Sequence, residues 1–122
     1  MANVGADTQT VSREYWERFL QRTVAPEPKS DVKRAARRYP LIGDLNIAFD
    51  DEQGRAHTRV LSLINVSCEG LTAKGQTDIA LDTDVLIEMN PEGTPFRMLG
   101  RIVHCTETIG GYKIGIELQF RS

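Results

Sequence analysis

The sequence predicts an all-β domain, either an antiparallel sandwich or a small barrel, preceded by one short helix. From residue 41 onward, apolar and polar residues alternate in about six segments, and turns rich in Gly, Pro, Asn and Asp separate them at regular spacing. One face of each predicted strand is apolar, which fits a closed core. The 122 residues are enough for one such domain and a short appendage.

The helix is predicted over residues 11–24, where apolar residues recur at near-helical spacing. Ser12 or Thr10 is the expected N-cap, because a hydroxyl oxygen there accepts a hydrogen bond from a free backbone N–H of the first turn. Pro26 and Pro28 end the helix, because proline lacks the N–H that the next turn needs.

Four large residues of this helix, Tyr15, Trp16, Phe19 and Leu20, have two interpretations. An apolar stripe on a short helix usually packs on the helix's own domain. Trp16 lies off the main stripe and widens the apolar face, which favours contact with a protein partner or a second copy. The four residues are therefore a candidate partner surface.

The strands follow in order along the rest of the chain. They are predicted around residues 41–49, 60–64, 71–73, 85–89, 96–105 and 112–120. The last strand has the clearest pattern, because its aromatic and aliphatic residues share one face while Lys, Gly, Glu and Gln share the other.

Composition excludes several classes of protein. The formal net charge is −2, so the chain is not a general phosphate-binding polycation. No apolar run approaches the roughly 18 residues of a membrane span, and residues 1–10 lack the features of a signal peptide. Cys68 and Cys105 show neither metal-ligand nor C-x-x-C spacing. We therefore expect a cytoplasmic protein without a metal, with reduced cysteines, a disulfide between the two being the alternative.

Nothing in the sequence indicates catalysis. His57 and His104 are isolated in predicted strands, where a structural histidine is the ordinary case. Residues 50–52 form an acidic cluster without the further ligands of a calcium loop, which is typical of a solvated turn. The sequence contains no nucleophile elbow, zinc-protease motif or P-loop.

A basic segment, residues 29–40, is called here the basic arm. Five basic residues and one acid give residues 29–38 a net charge of +4. Arg34 and Arg38 form an R-x-x-x-R pattern, with Lys33 and Arg37 as electrostatic support. The guanidinium fork pairs with phosphate oxygens and with the O6/N7 edge of guanine. A solvated basic linker is the alternative interpretation.

A second motif, [D/N]-x-S-x-x-G, follows at residues 65–70, with Asn65, Ser67 and Gly70 at its fixed positions. Asn and Ser can fix the shape of a turn by bonding their own backbone, and Gly70 is expected to supply a positive φ. A plain strand-connecting turn explains this motif alone. The occurrence of both motifs in this order, beside strands of a β-domain, is far more specific evidence for a binding site than either motif alone.

Together the motifs resemble the PilZ domain family. The resemblance covers roughly residues 33–120: Arg38-Tyr39-Pro40 is similar to the opening of such domains, and residues 100–103 and 111–116 are similar to their closing strand pair. It implies three parts: a tail and amphipathic helix (1–28), the basic arm (29–40) and the barrel (41–122).

The resemblance implies a six-stranded antiparallel barrel that binds cyclic di-GMP (c-di-GMP) without catalysis or a cofactor. Arg34 and Arg38 would contact its phosphates and guanines, Asn65 a guanine edge, and Ser67 a phosphate or a guanine; Gly70 would shape the turn. Binding would order the basic arm and relay the second-messenger level to a protein partner, with the receptor a monomer or a homodimer.

Two other functions compete with a c-di-GMP receptor. A ligand-independent adaptor would use the barrel as a scaffold and the helix as its contact. A small nucleic-acid-binding barrel needs a basic groove and surface aromatics, whereas this chain is net acidic with 7% aromatic residues. We therefore expect no nucleic-acid polymer as a partner.

Overall fold

The computed structural model describes residues 10–23 and 38–120. They form one helix and six strands that close into a barrel. The elements are α1 (Arg13–Thr23), β1 (Arg38–Asp50), β2 (Ala56–Ser67), β3 (Gly70–Gly75), β4 (Asp84–Met89), β5 (Phe96–Thr108) and β6 (Gly111–Gln119), with a single 3₁₀ turn, Pro91–Gly93, between β4 and β5.

The sheet closes in the order β1-β2-β3-β6-β5-β4, and every neighbouring pair is antiparallel. The predicted all-β fold with one short helix is confirmed, and closure decides between the barrel and the sandwich. Strands β1, β2, β3 and β5 are longer than predicted. Strand β1 begins at Arg38, inside the segment assigned to the basic arm. The rest of that arm lies outside the described residues.

The barrel interior is filled by aliphatic side chains from alternate strand positions. In β6, Ile114, Ile116 and Leu118 are buried while Lys113 and Glu117 are exposed, as the alternating pattern predicts. No polar side chain is buried among the described residues. Burial of apolar surface therefore holds this barrel together.

Helix α1 begins after Ser12, whose hydroxyl accepts a 3.1 Å hydrogen bond from the backbone N–H of Tyr15. Ser12 is thus the N-cap, one of the two predicted candidates. The backbone N–H of Val11, just before the helix, donates to the carbonyl of Arg97 in β5 over 3.0 Å. The start of the helix is therefore held against the barrel.

The helix packs its large side chains on the barrel, which corrects the interpretation of a partner surface. Trp16, Phe19 and Leu20 are 0%, 5% and 1% exposed, and only Tyr15 remains 40% exposed. The rings of Trp16 and Phe19 meet Phe96 of β5 edge-on, at centroid distances of 5.1 and 4.6 Å. Trp16 does widen the apolar face, but the wider face covers one end of the barrel because Phe96 offers it an aromatic contact there.

Within residues 10–23 and 38–120, no helix is long and apolar enough to cross a membrane. Cys68 and Cys105 are both free thiols.

Candidate functional site

The two sequence motifs meet in the pairing of β1 with β2. Arg38 lies opposite Ser67 in the register, and Pro40 lies opposite Asn65. The last residue of the R-x-x-x-R pattern and two fixed residues of the second motif are therefore on neighbouring strands, about 5 Å apart. Lys33, Arg34 and Arg37 lie outside the described residues.

Ser67 organises the turn between β2 and β3. Its Oγ accepts hydrogen bonds from the backbone N–H groups of Glu69 and Gly70, at 3.2 and 3.1 Å. The same hydroxyl donates to the carbonyl of Gly70 over 3.3 Å. These bonds fix the shape of the turn, as turn chemistry predicts for a serine at this position.

The structural reason for a glycine at position 70 differs from the expected one. The expectation of a positive φ is wrong, because the positive-φ glycines of the described chain do not include it. A Cβ at this position would lie 2.6 Å from the carbonyl oxygen of Ile116 in β6. Glycine is needed because the backbones of β3 and β6 approach closely here.

Asn65, Ser67 and Gly70 line one groove on the outside of the barrel, with a volume of about 460 Å³. That volume lies within the range of about 300–1,000 Å³ usual for small-molecule sites. The structure thus brings together the three fixed residues of the second motif. The rest of the polar lining comes from Glu69, at a free position of the motif, and from four residues that sequence reasoning missed: Thr72, His104, Lys113 and Glu117.

The charge of this groove wall is not suited to a dianion by itself. It contains two carboxylates, Glu69 and Glu117, and one ammonium, Lys113. A ligand with two phosphates needs further positive charge from outside the wall. The residue opposite Ser67 in the register, at this wall, is Arg38 of the R-x-x-x-R pattern.

Helix α1 also reaches the second motif. The Trp16 indole Nε1–H donates to the backbone carbonyl of Ser67 over 2.9 Å. A helix residue therefore contacts the same turn that lines the groove.

Cys68 follows Ser67 in this turn. Burial raises the pKa of its thiol, and the nearby carboxylate of Glu17 raises it further.

A larger cavity of about 870 Å³ lies at the opposite end of the barrel and contains no residue of either motif. Its lining is mainly acidic, with Asp50, Asp51, Glu52, Asp78, Asp82 and Asp84 against two arginines. In it, His57 Nε2 bonds Asp51 Oδ2 over 2.9 Å. A hydrogen bond from His57 lowers the pKa of Asp51 to about 2. The negative charge makes this cavity unsuitable for a phosphate ligand.

Comparison with known proteins identifies the family of this chain. The family model described as the PilZ domain matches residues 32–122. The chain belongs to the PilZ family. No curated protein sequence matches it significantly.

Three solved structures share the fold at low identity. The PilZ domain of YcgR from Escherichia coli with c-di-GMP has a TM-score of 0.53 at 11% identity, over 70% of this chain and 77% of that one. The MrkH–c-di-GMP complex from K. pneumonia has a TM-score of 0.55 at 14% identity, over 75% of this chain. Apo MrkH has a TM-score of 0.51 at 12% identity, over 79%. This PilZ chain spans 46% of either MrkH chain.

Proposed function

We propose that this PilZ domain is a non-catalytic bacterial receptor for c-di-GMP. The observation that carries the proposal is the register of β1 and β2, which sets Arg38 opposite Ser67 at the groove formed by the second motif. Membership of the PilZ family supports it, and so do fold relatives whose structures contain c-di-GMP.

The arginines and the groove would divide the recognition between them. Arg34 and Arg38 would hold the phosphates and a guanine edge, since the groove wall has no surplus of positive charge. Lys33 and Arg37 would raise the local potential without a fixed contact. Asn65 would bond a guanine edge, and Ser67 would add a ligand contact to its role in the turn.

Calorimetric titration with c-di-GMP tests the binding. Loss of charge-assisted hydrogen bonds should weaken affinity about 10- to 150-fold in both Arg34→Ala and Arg38→Ala. Lys29→Ala is the matched control, because it removes one charge from the same arm outside the motif, and it should change affinity less than about threefold. If wild type does not bind, the receptor proposal is wrong. If wild type binds and all three variants bind as it does, the two arginines do not hold the ligand.

Ligand binding would be relayed to a protein partner through changes in the basic arm and in helix α1. Binding would order residues 25–37, which join α1 to β1. The Trp16 indole N–H donates a hydrogen bond to the carbonyl of Ser67. A ligand that contacts Ser67 would therefore also affect the packing of α1. Hydrogen exchange with and without c-di-GMP should show increased protection in residues 25–37. Unchanged protection there would remove arm ordering from the mechanism.

The ligand-independent adaptor has less support. It would use the apolar face of α1 as its contact, and that face is buried on the barrel. An adaptor of this kind would first have to detach the helix.

A further inference from the structure

One row of residues crosses four neighbouring strands on the groove wall. Asn65 of β2 pairs with Thr72 of β3, Thr72 with Gly115 of β6, and Gly115 with His104 of β5. Three inter-strand steps make this row about 14 Å long. It extends the groove from the second motif to β5, well beyond the reach of the motif's own side chains.

Both ends of the row are made by β-bulges. The register shifts between Leu63 and Asn65 in β2, and between Ile102 and His104 in β5. Each shift inserts one extra residue, Ile64 or Val103, and these two side chains are 42% and 49% exposed. A bulge redirects the side chains beside it, and bulges are frequent next to binding sites. Two bulges ending on the same row place both Asn65 and His104 on the groove side.

The middle of the row is a depression. Gly115 has no side chain between its outward-facing neighbours on β6, Lys113 and Glu117. A Cβ added to Gly115 would lie 3.1 Å from the Cβ of His104. The His104 side chain therefore lies directly beside the bare backbone of Gly115. Glycine within a strand can mark the close approach of a ligand or of another backbone. A flat ring could lie on this backbone against His104.

We propose that the depression at Gly115 is a subsite for one guanine base of c-di-GMP, which rests on the proposed receptor function. The base lies on the backbone of Gly115 and stacks against His104. Lys113 donates to its O6/N7 edge, the pair of acceptors that distinguishes guanine from adenine. The row thus selects the nucleobase.

Charge favours a base over a phosphate at this place. Glu117 faces the same stretch of groove and lies opposite Arg101 in the register. Its carboxylate would repel a phosphate but can accept hydrogen bonds from the N–H groups of guanine. Imidazole is one of the rings on which proteins stack single bases. The groove wall therefore fits the uncharged end of the ligand.

Titration of c-di-GMP into His104→Ala and Gly115→Val tests the subsite, with Glu107→Ala as the control on the same strand outside the groove. Loss of base stacking should weaken binding about 5- to 150-fold in the first two variants and leave Glu107→Ala like wild type. If wild type binds, Arg38→Ala binds more weakly, and His104→Ala matches Glu107→Ala, the subsite is wrong while the receptor stands. If wild type does not bind, the receptor and the subsite fail together.

Thermal unfolding of each variant controls for the fold, and His104→Ala decides the matter if Gly115→Val does not fold. Competition with cyclic di-AMP then tests base selection. Wild type should prefer c-di-GMP, and Lys113→Met should reduce that preference about 5- to 150-fold. An unchanged preference would show that Lys113 does not read the base.

Discussion

The docking of α1 on the barrel can be tested through Trp16. This side chain is fully buried, meets Phe96 edge-on at 5.1 Å, and donates a hydrogen bond to the carbonyl of Ser67. Truncation of a buried Trp to Ala costs about 3–5 kcal/mol. Part of that cost here is the carbonyl left without its donor, at about 1–3 kcal/mol. We expect Trp16→Ala to lower the free energy of unfolding by about 4 kcal/mol, a large fraction of a total of about 5–15 kcal/mol.

Urea unfolding followed by far-ultraviolet circular dichroism measures this loss. Tyr15→Ala is the matched control on the same helix, because its ring is 40% exposed and meets Phe96 at 5.5 Å. It should cost about 1 kcal/mol. The sequence has one tryptophan, so in wild type its fluorescence reports the same contact directly. A Trp16→Ala protein as stable as the Tyr15→Ala protein would mean that the helix is not packed in solution.

Three further predictions concern the turn, the β3–β6 contact and the acidic end of the barrel. Ser67→Ala should destabilise the fold by about 1 kcal/mol in urea unfolding, since two turn N–H groups lose their acceptor; no change would contradict this role. Gly70→Ala should cost about 1–3 kcal/mol in the same assay because its Cβ would meet the carbonyl of Ile116, and a neutral effect would show that the strands separate easily. Because the folded pKa of Asp51 is lowered from 3.8 to about 2, its stabilising effect is complete above pH 4 and is lost as pH falls towards 2. The melting temperature of wild type should therefore exceed that of Asp51→Asn near pH 5 and approach it near pH 2, and a constant difference would refute the ionic role.

Much of the fold follows from local patterns in the sequence. The alternation in β6 predicts which of its residues are buried, and the hydroxyl of Ser12 predicts the start of α1. These features are set by neighbouring residues along the chain. The choice between barrel and sandwich depends on the pairing of β1 with β4, which no local pattern contains.

The candidate site was only partly predictable for the same reason. Asn65 and Ser67 are recognisable because the motif is contiguous, whereas His104 and Lys113 join the groove only through the register of β5 and β6. His104, interpreted as a structural histidine, is exposed and bonds Thr106 at 2.8 Å. The one signal in the sequence was Gly115, a glycine on the polar face of a strand.

The paired bulges also affect how this chain should be aligned with other members of its family. In β5 the buried positions are even-numbered up to Ile102, but the next residue to turn towards the core is Cys105. In β2 they are odd-numbered up to Leu63, and the next is Val66. A relative with regular strands would need a one-residue gap opposite Ile64 and another opposite Val103. An aligner that moves those gaps into the adjacent loops would match core residues to surface residues over part of both strands.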